Sequence, residues 1–131
     1  MKLLLDTHTF LWQAEGSTKL SAAASALLMD PANDLYLGIE SVWEIAIKVG
    51  TKKLSLSLPF MPFVSDAVQR YGILLMPISL DDCDAYRKLP FPNPKHRDPF
   101  DRMIITHALR NGFSLVGNDT AFDAYGVTRL W

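Results

Sequence analysis

Short apolar runs that stop at an acid or a helix cap, each followed by a helix-like stretch, constrain this chain most. Leu3-Leu4-Leu5 runs straight into Asp6, and residues 113–116 lead through Gly117-Asn118 to Asp119. Runs of the same kind lie at 35–39, 73–78 and 127–130 and read as buried strands. Between them the sequence predicts helices. One spans about 7–13. A second opens at Ser21, is rich in alanine, and is stopped by Asp30-Pro31. Ser41 is expected to cap a third that reaches Lys48 before Gly50. Others are expected at about 59–71 and, behind a Ser79 cap, at 80–89. Asp98-Pro99 opens the last, which ends at Asn111-Gly112. Residues 51–58 alternate apolar and polar side chains and read as a short strand or an extended loop; 90–97 form a proline-rich loop. Strands alternating with helices imply an α/β fold with a central parallel sheet of about five strands, flanked by helices. Ligands of such sheets bind beyond the carboxyl ends of the strands. Asp6 and Asp119 stand at two such ends.

A chain of 131 residues suits one domain with a real core, here 1–131. Formal net charge is −1, so any grip on nucleic acid must use a local patch rather than the whole surface. The one cysteine, Cys83, excludes an internal disulfide and fits a reducing compartment. No apolar run approaches a membrane span, and the opening Met1-Lys2-Leu3-Leu4-Leu5-Asp6 is too short and too soon acidic for a signal peptide. A soluble cytoplasmic protein is expected.

Five acids then stand out: Asp6, Glu44, Asp98, Asp101 and Asp119. Each borders or interrupts an apolar segment, where a carboxylate needs a partner or a metal. Each also has a plainer explanation. Asp6 and Asp98 suit helix caps, and Asp101 falls in a first helical turn where the helix dipole favours an acid. Glu44 precedes Lys48 by four residues, the favoured order for a helix ion pair. Asp119 suits a turn, and Asp123, one turn on, is a weaker candidate. Yet Glu44 lies among Val42, Trp43, Ile45, Ala46 and Ile47 on a helix with almost no polar face. Two carboxylates at the start of one helix also exceed what a cap requires. Acids at the ends of several core elements are the donors a hard divalent cation prefers.

Other chemistries find less support. His8, His96, His107 and Cys83 show no zinc spacing, and no glycine-rich phosphate loop is present. Trp12, Trp43 and Trp131 are expected in the core rather than as a stacking platform. Basic residues cluster as Lys48, Lys52 and Lys53, and as Lys95, His96, Arg97 and Arg102. Lys48, Arg97 and Arg102 are the candidate phosphate contacts beside the acids.

Four stretches together resemble a PIN-domain ribonuclease, specifically the VapC-like toxins of bacterial toxin–antitoxin pairs. They are Leu4-Leu5-Asp6-Thr7-His8, Ser41 through Lys48, His96 through Ile105, and Asn118-Asp119. The resemblance implies a PIN-like three-layer fold and an acidic pocket for Mg²⁺ or Mn²⁺. Asp6, Glu44 and Asp101 correspond to the family's core acids, Asp119 to a more variable fourth, and Asp98 to the Asp-Pro-Phe-Asp form of the motif. It further implies RNA hydrolysis by metal-activated water, leaving a 5′-phosphate and a 3′-hydroxyl. A cognate antitoxin and a homodimer are implied as well. One departure is Gly117, where the family often has threonine. Another is His107, where many relatives carry glutamine.

Two other classes are weighed against this. A phosphotransfer protein using Asp6 as nucleophile, in the manner of haloacid dehalogenases, needs an Asp where His8 stands. A response-regulator receiver needs one where the chain has Ser79. A catalytically silent binding module would use the acids only as caps. The sequence also suggests an apolar groove for the antitoxin, built from Phe60, Met61 and Phe63 with Phe10, Leu11 and the 22–28 helix.

Overall fold

In the computed structural model, which describes residues 1–131, successive side chains of each apolar run point to opposite faces of one sheet. Strand β1 (Lys2–Leu5) lies at its centre, and α1 (Thr7–Glu15) and α2 (Ala22–Met29) follow. Next come β2 (Asp34–Gly38), α3 (Ile39–Gly50), α4 (Phe60–Arg70), β3 (Ile73–Met76), α5 (Leu80–Lys88) and α6 (Pro99–Asn111). Strand β4 (Ser114–Val116), a 3-10 turn at Thr120–Tyr125 and β5 (Arg129–Leu130) complete the chain. The strand order is β3-β2-β1-β4-β5, and every pairing is parallel.

The pleat sorts the core into two layers. Leu3 and Leu5 join Leu35, Leu37, Ile73 and Val116 against Phe10, Ala24, Leu28, Ile45 and Phe63. Leu4 and Leu115 face the other way, against Ile104, Ile105 and Ala108 of α6 and Phe122 and Tyr125 of the 3-10 turn. The result is the expected three-layer α/β architecture.

Several local expectations change. Helix α3 begins at Ile39, two residues before Ser41, with Gly38 as its N-cap and no side-chain cap. Ser41 is instead buried inside the first turns. Residues 51–58 pair with no strand; Leu54 and Leu56 pack partly buried on the core from a turn and loop. The turn expected at Asp119 is present as a 3-10 turn, which Asp119 caps by accepting from the Ala121 amide at 2.9 Å. Ser79 forms a full capping box with Asp82 at the start of α5. No helix is long and apolar enough to cross a membrane.

The connection from β1 leads to β2 on one side, and the chain later returns to place β4 on the other. The carboxyl ends of β1 and β4 therefore flank a point where strand order reverses, which opens a crevice.

Candidate active site

Asp6 emerges from β1 into this crevice, 5% exposed. Its amide donates to the Val116 carbonyl at 3.0 Å, which ties β1 to β4. Its Oδ1 accepts from the Thr7 amide at 2.8 Å, so the capping role is real. Capping leaves Oδ2 free of the helix, and the side chain lines a cavity of about 580 Å³. Glu44, Lys48, Asp98, Asp101 and Asp119 line the same cavity, with Thr7, His8, Trp12, Asn118 and Thr120. All five sequence candidates thus meet, delivered by β1, α3, α6 and the segment after β4.

Each acid is held differently. The Thr7 hydroxyl donates to Glu44 Oε1 at 2.7 Å, and the Ser41 hydroxyl lies 2.9 Å from the Thr7 oxygen. Lys48 Nζ donates to Glu44 Oε2 at 3.0 Å. Asp101 Oδ2 lies 3.0 Å from His96 Nε2, whose Nδ1 is 2.9 Å from the Tyr125 hydroxyl. Exposed Asp98 caps α6 by accepting from the Asp101 amide at 2.9 Å. Asp123 lies off the cavity, paired with Arg129 at 2.7 Å.

The electrostatics match a crowd of like charges. Burial raises the Asp6 pKa to about 7; Asp101, Glu44 and Asp119 add repulsion, against the opposing Thr7 amide. Burial also raises Asp101 to about 6, with Asp98 and Glu44 adding to it and the His96 hydrogen bond opposing. A set of carboxylate oxygens in which Asp6 is raised to about 7 and Asp101 to about 6 is one that a hard divalent cation would suit, since it would offset their mutual repulsion. The acids surround the cavity without any three of them forming a closed cage. Asp6, Glu44, Asp98, Asp101 and Asp119 turn their carboxylates to one cavity, with Asp98 open to solvent.

Gly117 gives the departure at that position a physical meaning. A Cβ added there would come within 3.0 Å of Asp6 Cβ and 3.4 Å of its Oδ2. The lack of a side chain at 117 is therefore part of how Asp6 fits.

One expected phosphate contact is corrected. Arg102 is 2% exposed and donates to the carbonyls of Leu89 and Pro90 at 2.8 and 2.9 Å, with its guanidinium stacked on Phe91. It pins the proline-rich loop from inside and is closed to substrate. Arg97 is exposed, bonded to the Pro94 carbonyl, and stands outside the cavity wall. Lys48 does line it.

Sequence reasoning missed three contributors. The sequence singles out Ser41 as a cap and His96 as part of a basic cluster, and gives Thr7 no role beyond that of a possible cap. The partners of Thr7 lie 34 and 37 residues away, and those of His96 lie 5 and 29. Periodicity carries no signal for such contacts.

The family profile of the PIN domain matches residues 3–127. This chain belongs to the PIN-domain family. Ribonuclease VapC22 of Mycobacterium tuberculosis (strain ATCC 25618 / H37Rv) is 25% identical over 117 residues, covering 89% of this PIN domain and 86% of that protein. VapBC2 from Rickettsia felis, solved bound to a DNA fragment from its promoter, superposes with a TM-score of 0.72 at 15% identity, over 99% and 98% of the two chains. VapC20 of Mycobacterium tuberculosis, a sarcin-ricin loop cleaving toxin, gives 0.69 at 13% identity, over 96% of each. The PIN domain thus shares its fold with these proteins along nearly its full length.

Proposed function

We propose that this PIN domain is a Mg²⁺- or Mn²⁺-dependent endoribonuclease, the toxin of a toxin–antitoxin pair. The observation that carries the reading is the convergence of five acids from separate elements on one cavity at the strand-order reversal. Its likeness to a protein named as a ribonuclease supports the choice of RNA. A divalent cation bound there would supply Lewis-acid stabilisation and lower the pKa of a bound water. Asp6, Glu44, Asp101 and Asp119 would hold it. Thr7 fixes the rotamer of Glu44, and His96 fixes Asp101 against Tyr125. Lys48, on the cavity wall, can neutralise a substrate phosphate, and Arg97 can do so further out.

The deciding experiment incubates purified protein with a mixed RNA pool, with and without Mn²⁺, and sequences the cut ends. Metal-dependent cuts bearing 5′-phosphates are expected. An RNA pool left intact in Mn²⁺ sinks the proposal and favours the silent capping module.

The partners follow from two surfaces. A groove of about 610 Å³ runs between the end of α1, residues 55–58 and α4, with Phe63 and Ala67 in its lining. An antitoxin helix would seat there, anchored by exposed Leu58 on the groove wall. Phe10 and Leu11, expected in this groove, are buried in the core instead, where Phe10 meets Phe63 edge to face at 6.4 Å. The antitoxin would also place an arginine among the acids, in competition with metal. A second copy of the chain would cover Trp43, which is 60% exposed and packs on Phe100 beside an apolar cavity of about 330 Å³.

A further inference from the structure

The acidic cavity has a single hydrophobic wall residue, and that residue is aromatic. Trp12 lines it together with His8. The two stand four residues apart on α1, the spacing that places side chains on one helix face. Their rings stack with centroids 5.5 Å apart and planes 29° from parallel. Trp131 backs Trp12 at 5.7 Å, tilted by 59°. The expectation that the tryptophans belong to the core holds for Trp131, which packs half-buried against it, but not for Trp43, which is 60% exposed; Trp12 is half-buried at the cavity, and His8 is exposed.

A pocket that held only a cation and water would gain nothing from an exposed aromatic ladder. Proteins that bind single-stranded nucleic acid combine cationic contacts to the backbone with aromatic rings that take the bases. Both parts occur here, Lys48 and the His8–Trp12 wall, on the rim of one cavity. An imidazole or indole face accepts any base, so the wall selects for an unpaired nucleotide rather than for a sequence.

Building on the ribonuclease reading, we propose that His8 and Trp12 form a stacking subsite for one unpaired nucleobase next to the scissile phosphate. Trp131 is a supporting residue that holds Trp12 in place.

The test measures binding and cleavage separately. Random-sequence single-stranded RNA dodecamers, and the same ribose-phosphate backbone without bases, are titrated against the full chain in Mg²⁺ at low temperature by fluorescence anisotropy. Stacking of one base is worth about 5- to 150-fold, so wild type should prefer the base-bearing strand by at least about fivefold. Trp12→Leu should bring the two strands to within about twofold, Trp12→Phe should keep the preference, and His8→Ala should fall between. Trp12→Phe and His8→Ala also guard against misfolding, since one keeps the ring and the other alters an exposed residue. A wild type with no base-dependent affinity overturns the subsite. So does a preference that survives both Trp12→Leu and His8→Ala, or a loss that is equal on the two strands. If Trp12→Leu leaves RNA preference unchanged but weakens antitoxin binding, the wall belongs to the protein partner and the proposal falls. Cleavage in Mn²⁺ is scored in parallel. Base-dependent binding without cleavage would sink the ribonuclease reading alone, and cleavage without base-dependent binding would sink the subsite alone.

Discussion

Asp6 carries two duties that pull in opposite directions. As a cap it stabilises α1; as an ionised group among four other carboxylates it costs free energy. Its folded pKa, about 7, lies above the unfolded value near 3.9. The folded state therefore holds the proton more tightly. Its contribution to stability is fully present below about pH 4 and is lost as pH rises through about 7. In chelator, wild type should melt higher at pH 5 than at pH 8. Asp6→Asn keeps a cap and removes the charge, so at pH 8 it should melt roughly 5–10 °C above wild type and lose most of that pH dependence. Mg²⁺ should raise the melting temperature of wild type and raise the variant less. RNA cleavage should disappear in Asp6→Asn and in Asp101→Asn. Asp98→Asn should retain much of it, because Asn also caps a helix. A variant that melts no higher at pH 8 would show that the carboxylates do not repel. Gly117 is the complementary case. Gly117→Thr should cut cleavage by about tenfold or more, since the new Cβ displaces Asp6 by a few tenths of an ångström. Unchanged activity in that variant would mean that the Asp6 position is tolerant.

Between elements, a second acid network works with the opposite sign. Asp82, on the first turn of α5, accepts from the Ser79 amide at 2.9 Å and pairs with Arg110 and His107 of α6. Burial pushes its pKa up, but the Ser79, Arg110 and His107 contacts outweigh burial and bring it to about 2. This contribution is present above the unfolded value near 3.9 and is lost as pH falls through about 2. Asp82→Asn should cost about 1–3 kcal/mol at neutral pH and flatten acid unfolding between pH 4 and 2, as followed by circular dichroism. An equally steep acid limb would remove Asp82 from the account. Elements are also the scale at which the sequence was most readable. The strand and helix order followed from apolar runs and from Ser21, Ser79 and Asp98, whose capping needs only neighbours in sequence. Ser41 was misjudged because a glycine can start a helix without a side-chain bond, and its hydroxyl serves Thr7 instead. The five acids were legible because each interrupts an apolar segment. The fate of Arg102 was not, because its burial depends on carbonyls brought over by the 89–91 loop.

Across the whole molecule, the acidic cavity, the groove beside α4 and the Trp43 face share helices but no lining residue. This separation lets partner binding be disturbed without touching the acids. Leu58 is 44% exposed and lines the groove. Leu58→Asp should weaken antitoxin binding by about tenfold or more while leaving cleavage by the free toxin unchanged, as measured by calorimetry and by RNA digestion. Affinity that falls as Mg²⁺ rises is expected if the antitoxin also enters the acidic pocket. Unchanged affinity in Leu58→Asp would move the partner to another face.

Gly38 and Glu40 constrain each other. The Glu40 carboxylate sits where a side chain at 38 would begin: a Cβ on Gly38 would lie 2.0 Å from its Oε1. That carboxylate is buried and lies 2.9 Å from Nδ1 of the wholly buried His107, so it has little room to swing aside. Substitution at 38 is thus conditional on what stands at 40. A side chain at 38 would require the Glu40 carboxylate, and with it the contact to His107, to shift or be replaced.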